Sequence, residues 1–146
     1  IDRLVKIPSS MMGESWMGSH LTNDDLVKED QVEKLYSLSM IRKEKIAEIT
    51  GIPKPNAAVV WGKIVYAVDM DRLIPVSIRY YDESGALVRT MTFDRTERIA
   101  GRWIPMRMLV QPEDKPNEQT LFEYRNLDFN IRLDDDFFSV RSLRKR

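Results

Sequence analysis

Three runs decide how this chain is read: LIPVSIRYY (73–81), ALVRTMTFDRTERI (86–99) and RWIPMRMLV (102–110). Each alternates apolar and polar residues with a period of two. Val76, Ile78 and Tyr80 fall on one side of the first run. Ile104, Met106, Met108 and Val110 fall on one side of the third. Period-two alternation is the signature of a strand, because successive side chains point to opposite faces. DESG (82–85) between the first two runs reads as a hairpin connection, with Gly85 free to take positive φ. Gly101 separates the second run from the third. Strands broken by turns every ~8–14 residues predict an antiparallel, mainly β fold.

The pattern extends toward both ends. Upstream, Leu35–Lys45 places Tyr36, Leu38 and Met40 on one face, and Ile46–Ile52 is a weaker strand. Pro53 and Pro55 make PKPNAA a loop, since each removes a backbone donor. Val59–Met70 places Ile64, Tyr66, Val68 and Met70 together. Downstream, PEDKPN (112–117) is a turn and Glu118–Leu133 a last long strand, with a break or bulge expected near Asn126. Residues 2–7 also alternate and end at Pro8. An opening strand without a partner would leave an unpaired edge. Natural sequence is therefore expected before Ile1, with any targeting signal in it.

Residues 9–30 differ in kind. Thr22 with Asp25 three residues on has the form of a capping box, which predicts a short helix over Asn23–Lys28. Met11, Met12, Trp16 and Met17 form an apolar cluster flanked by Gly13 and Gly18. Two readings stay open for it: a short helix capping the core, or a flexible lid that exploits the adaptable methionine thioether.

Composition narrows the function classes. The 146 residues suit one domain. Twenty-three Lys+Arg balance 23 Asp+Glu. The chain lacks the overall basic excess of a nucleic-acid binder, although a local basic patch stays open. Cysteine is absent, so disulfides, thiol catalysis and zinc–thiolate sites are excluded. No apolar run reaches the ~18 residues of a transmembrane helix. Phosphate-loop, nucleophile-elbow, zinc-protease and dinucleotide motifs are absent. Asp24-Asp25 and Asp134-Asp135-Asp136 read as a helix start and a solvated turn before they read as a cation site. His20, the single histidine, reads as a loop residue rather than a general base. The basic end (Arg141, Arg144, Lys145, Arg146) reads as a solvated terminus. No catalytic residue, metal or cofactor is expected.

Several strands carry large apolar residues on both faces: Trp103 and Leu109 oppose the Ile104–Val110 set, and Phe122 and Tyr124 oppose Leu121, Leu127, Phe129 and Ile131. A single sheet with one wet face alternates more cleanly. Seven or eight strands, curved and covered on the inner face, account for the excess as a half-barrel or sandwich.

In this order, SSMMGESWMGSHLTNDDLV, PKPNAAVVWGKIVY, LIPVSIRYYDESGALVRTMTF, GRWIPMRM and DFFSVRSLRK resemble the outer-membrane lipoprotein-sorting, LolA-like family. The resemblance runs over nearly the whole chain and corresponds to the larger C-terminal part of the family domain. It departs at 46–52, where members carry a longer stretch with a further strand. It implies a half-open antiparallel barrel with helices closing the concave side, in a single domain over 1–146 that lacks its N-terminal portion. It implies a non-enzymatic periplasmic carrier of lipoprotein acyl chains or lipids, served by an inner-membrane transporter and an outer-membrane acceptor. A sensor or interaction module of the same fold is the alternative. The cavity and lid positions expected are Met11, Met12, Trp16, Met17, Tyr36, Leu38, Met40, Ile64, Tyr66, Val68, Ile78, Tyr80, Ile104, Met106 and Met108.

Overall fold

The computed structural model describes residues 7–143. The strand expected over 2–7 lies, but for Ile7, outside them, as do Arg144, Lys145 and Arg146. Seven strands form one antiparallel sheet in sequence order: β1 (Tyr36–Lys43), β2 (Ile46–Pro53), β3 (Lys63–Asp69), β4 (Ile74–Tyr81), β5 (Leu87–Ile99), β6 (Arg102–Pro112) and β7 (Thr120–Glu123). The fold is mainly β: a curved, half-open sheet with short helices on its concave side. A meander of this kind needs only local connections, and the turn chemistry supplies them. Asp82 accepts the backbone N–H of Ala86 at 2.9 Å through its carboxylate, and Gly85 sits at φ +85°. Ala100 and Gly101, at φ +48° and +80°, close the β5–β6 hairpin.

Two bulges re-aim side chains. Ala67 pairs with Ser77 but Val68 pairs with Pro75, so Val76 is the extra residue. Pro75 then takes the concave side that strict alternation assigned to Val76, which is exposed. A second shift sets Tyr80 against Arg89 and Tyr81 against Leu87. Val88 is skipped, and Arg89, Met91 and Phe93 share the concave face of β5.

The last strand is shorter than expected. Pairing with β6 ends at Glu123, and 124–134 continue without regular structure. Asn130 adopts φ +61°, which breaks extended geometry. Val59–Gly62 also precedes the strand proper, and Met70 falls in the β3–β4 turn. Helix α1 (Asn23–Lys28) and the single turn α2 (Val32–Leu35) lead into β1.

The core lies on the concave face, where Leu21, Tyr36, Trp61, Ile64, Ile78, Tyr80, Met91 and Val110 pack together. Gly62 lets the β2–β3 and β4–β5 connections touch: a Cβ there would stand 2.5 Å from the Asp82 carbonyl oxygen and 2.7 Å from Glu83 Cα. Both obstacles are backbone. Gly62→Ala is therefore expected to lose about 1–3 kcal/mol, read as a lower midpoint in urea unfolding.

Candidate functional site

The concave face is only partly filled. A cavity of about 530 Å³ lies between it and the segment carrying α1 and α2. Its floor is Leu38 of β1, Ile49 of β2, Ile64, Tyr66 and Val68 of β3, Pro75, Ile78 and Tyr80 of β4, Met91 and Phe93 of β5, and Met108 of β6. Its cover is Leu21, Leu26 and Val32, joined by Val59 and Trp61 from the β2–β3 connection, and Tyr36 at the start of β1 and Leu73 in the β3–β4 turn complete the lining. Charge enters on the cover side alone, through Asp24, Asp25, Lys28 and Glu33. An apolar trough with a polar rim suits a ligand with an apolar body and a polar end.

Local chemistry holds the cover in place. The capping box forms as the sequence predicts: Thr22 N–H donates to Asp25 Oδ2 at 2.6 Å, and Asp25 N–H donates to Thr22 Oγ1 at 3.2 Å. Asp24 is buried against the Lys28 ammonium one turn on, which also reaches the Ala58 carbonyl. Losing the cap hydroxyl in Thr22→Ala is expected to cost about 1 kcal/mol. Hydrogen exchange should then quicken in α1 before the sheet, since the lost bond caps the first turn of α1.

Arg89 connects cover to floor. Its side chain is 3% exposed and its guanidinium reaches Asp25 Oδ1 at 2.6 Å. It also donates to the His20 carbonyl at 2.7 Å. The guanidinium carbon stands 4.5 Å from the Trp61 ring centre and 4.2 Å from that of Tyr80. Trp61 Nε1 donates to the same Asp25 oxygen at 3.1 Å. Burial raises the Asp25 pKa. Hydrogen bonds and charge from Arg89, with the bonds from Thr22, outweigh it and hold the carboxyl below the usual range. Burial pushes the Tyr36 and Tyr80 hydroxyls well above the ordinary phenol range.

The structure brings Tyr36, Leu38, Ile64, Tyr66, Val68, Ile78, Tyr80 and Met108 into one lining. It leaves Met40, Ile104, Met106, Met11, Met12, Trp16 and Met17 outside. Met40 pairs with Ile49, which lines the cavity, but stands on the edge strand and is exposed. Met106 is buried and Ile104 half-buried, both away from the lining. Met11 and Met12 precede the loop that the Ser15–Thr22 bridge closes, their carbonyls accepting from Asn23 Nδ2 and the Asp24 N–H, while Trp16 and Met17 lie within it, Met17 83% exposed. The cover is α1–α2 instead. His20 has partners that its sequence neighbours do not show: Nδ1 lies 2.8 Å from Thr120 Oγ1 and Nε2 3.3 Å from Glu118. Asp134 and Asp136 accept backbone N–H bonds through their carbonyls in a short turn. Among the described residues no cluster of three His, Asp or Glu could hold a metal ion. No helix among them is long and apolar enough to cross a membrane.

Solved structures share this architecture. An outer membrane lipoprotein-sorting protein domain from Vibrio parahaemolyticus superposes with TM-score 0.78 at 22% identity, over 96% of this chain and 60% of its own. A DUF1329 family protein from Desulfovibrio piger gives 0.82 at 27%, over 92% and 57%. A LolA superfamily protein from Nitrosomonas europaea gives 0.72 at 16%, over 97% and 64%. The chain thus has the LolA-like fold, and spans about three fifths of the length of these proteins. Residues 1–145 match the model of a family described as "uncharacterized protein", and the chain belongs to that family. No curated protein matches it.

Proposed function

We propose that the chain is a non-enzymatic carrier domain that holds an acyl chain of a lipoprotein or lipid in the cavity under α1–α2. The observation that carries this reading is the cavity itself, about 530 Å³ with an apolar floor drawn from six strands and charge confined to its cover. An acyl chain leaving water for such a trough gains about 0.8 kcal/mol per buried methylene. Release then requires the cover to open, and the cover is the small helical part of a β protein. The lipoprotein-sorting description of the Vibrio relative fits the same chemistry. On this reading the protein works in the periplasm, taking cargo from an inner-membrane transporter and passing it to an outer-membrane acceptor. The test is native mass spectrometry of the full-length protein, followed by solvent extraction. Near-stoichiometric acyl-chain ligand is the expected result. A clean ligand-free mass with no uptake of added lipid overturns the reading.

A further inference from the structure

The meander places the β1–β2, β3–β4 and β5–β6 connections at one end of the sheet and the other three at the opposite end. The two ends differ in charge. Over residues 42–46, 69–74 and 97–103, Arg42, Lys43, Lys45, Arg72, Arg98 and Arg102 face only four carboxylates. Over 53–63, 81–87 and 112–120, three lysines face five carboxylates. A chain of zero net charge is thus polarised along its strands.

The cationic end is a built surface. Lys45 pairs with Asp71 at 3.5 Å, joining the first two tips. Arg72 and Arg98 lie over the Trp103 ring at 4.9 and 6.0 Å, joining the second and third, and Arg102 lies over Phe129 at 5.1 Å. Two of the local carboxylates are engaged: Asp69 Oδ1 accepts the backbone N–H groups of Asp71 and Arg72, and Asp71 holds Lys45. A guanidinium resting on an aromatic face keeps N–H edges for a phosphate. Among these cations stands Leu73, 73% exposed and held at φ +56°. Left-handed backbone is costly for leucine, and exposure of its side chain adds nothing to folding. Leu73 also lines the cavity.

We propose that this end of the sheet docks on an anionic lipid surface, Arg72, Arg98 and Arg102 meeting phosphates while Leu73 and Trp103 enter the interface. Cations interleaved with single apolar side chains are the pattern of interfacial binding. A protein partner would instead call for apolar residues gathered into one central patch, and here they stand apart on separate hairpin tips. Leu73 borders both surfaces, whereas Arg72, Arg98, Arg102 and Trp103 lie outside the cavity lining, so docking is tested apart from what fills the cavity.

The test is flotation of the full chain with vesicles of phosphatidylcholine, alone or mixed with phosphatidylglycerol. Binding to the mixed vesicles, lost at high salt and absent on pure phosphatidylcholine, is expected. Arg72→Glu or Arg98→Glu should each weaken it about thirtyfold, since a reversal removes two units of charge. Lys115→Glu at the opposite end should leave it unchanged. No binding to the anionic vesicles, or binding that survives both reversals, overturns the proposal. Uptake of a fluorescent fatty acid by the same samples separates the two readings: uptake without vesicle binding defeats the docking surface alone, and vesicle binding without uptake defeats the carrier reading alone.

Discussion

Arg89→Met is expected to lower folding stability by about 3–5 kcal/mol, because it removes one partner of a buried ion pair and leaves the other charged. Arg89 is 3% and Asp25 11% exposed, so water replaces little of what is lost. The same change takes a donor from the His20 carbonyl and a cation from between Trp61 and Tyr80. Urea unfolding measures the loss. Its pH dependence tests the cause. In the natural protein Asp25 titrates below its ordinary value. Its contribution is therefore complete above the unfolded pKa of about 3.9 and fades as pH falls through the folded value. In Arg89→Met, burial loses its main opponent and the Asp25 pKa rises. Acid then relieves the variant by protonating the stranded carboxyl. The stability gap between the two proteins should be widest near neutral pH and narrow toward pH ~4. A gap of constant size would mean that Arg89 acts through packing rather than charge.

What could be read from the sequence and what could not divides by range. The Thr22–Asp25 cap, the DESG turn and the break at Gly101 were legible because each is settled by residues within a few positions. Alternation placed Tyr66, Val68, Ile78 and Tyr80 on one face, and the register agrees, with Tyr66 opposite Ile78 and Ile64 opposite Tyr80. It failed at Val76, since a bulge leaves no periodic trace and moved Pro75 into the lining instead. It also failed at Met40, where the face is right but the strand is the sheet edge. The Met11–Met17 segment, apolar and flanked by glycines, left two readings open, a core-capping helix or a lid. Which segment covers the cavity, however, depends on tertiary anchors, and these belong to α1: Asp25 to Arg89, and Lys28 to the Ala58 carbonyl. Arg89 itself carries no local sign of burial. It sits in an ordinary alternating strand, and its partner Asp25 is 64 residues away.

Val68→Trp is expected to weaken acyl-chain uptake at least about tenfold while the sheet stays folded. Val68 is half-buried on β3 and lines the cavity beside Pro75. It also pairs with Ala47 of β2, so its backbone remains laddered on both sides. An indole at that position would project into the trough, and aromatic side chains are tolerated in strands. Tenfold corresponds to ~1.4 kcal/mol, less than two methylenes of acyl chain kept out of the cavity at about 0.8 kcal/mol each. Displacement of a fluorescent fatty acid measures the affinity, and a thermal midpoint within a few degrees of the natural protein shows that the fold holds. Met40→Trp serves as the companion, because that side chain shares the predicted face but stands outside the cavity. Equal loss in both variants would place the ligand along the open edge of β1 rather than beneath the helices. Loss in Val68→Trp alone assigns it to the space between α1 and the floor.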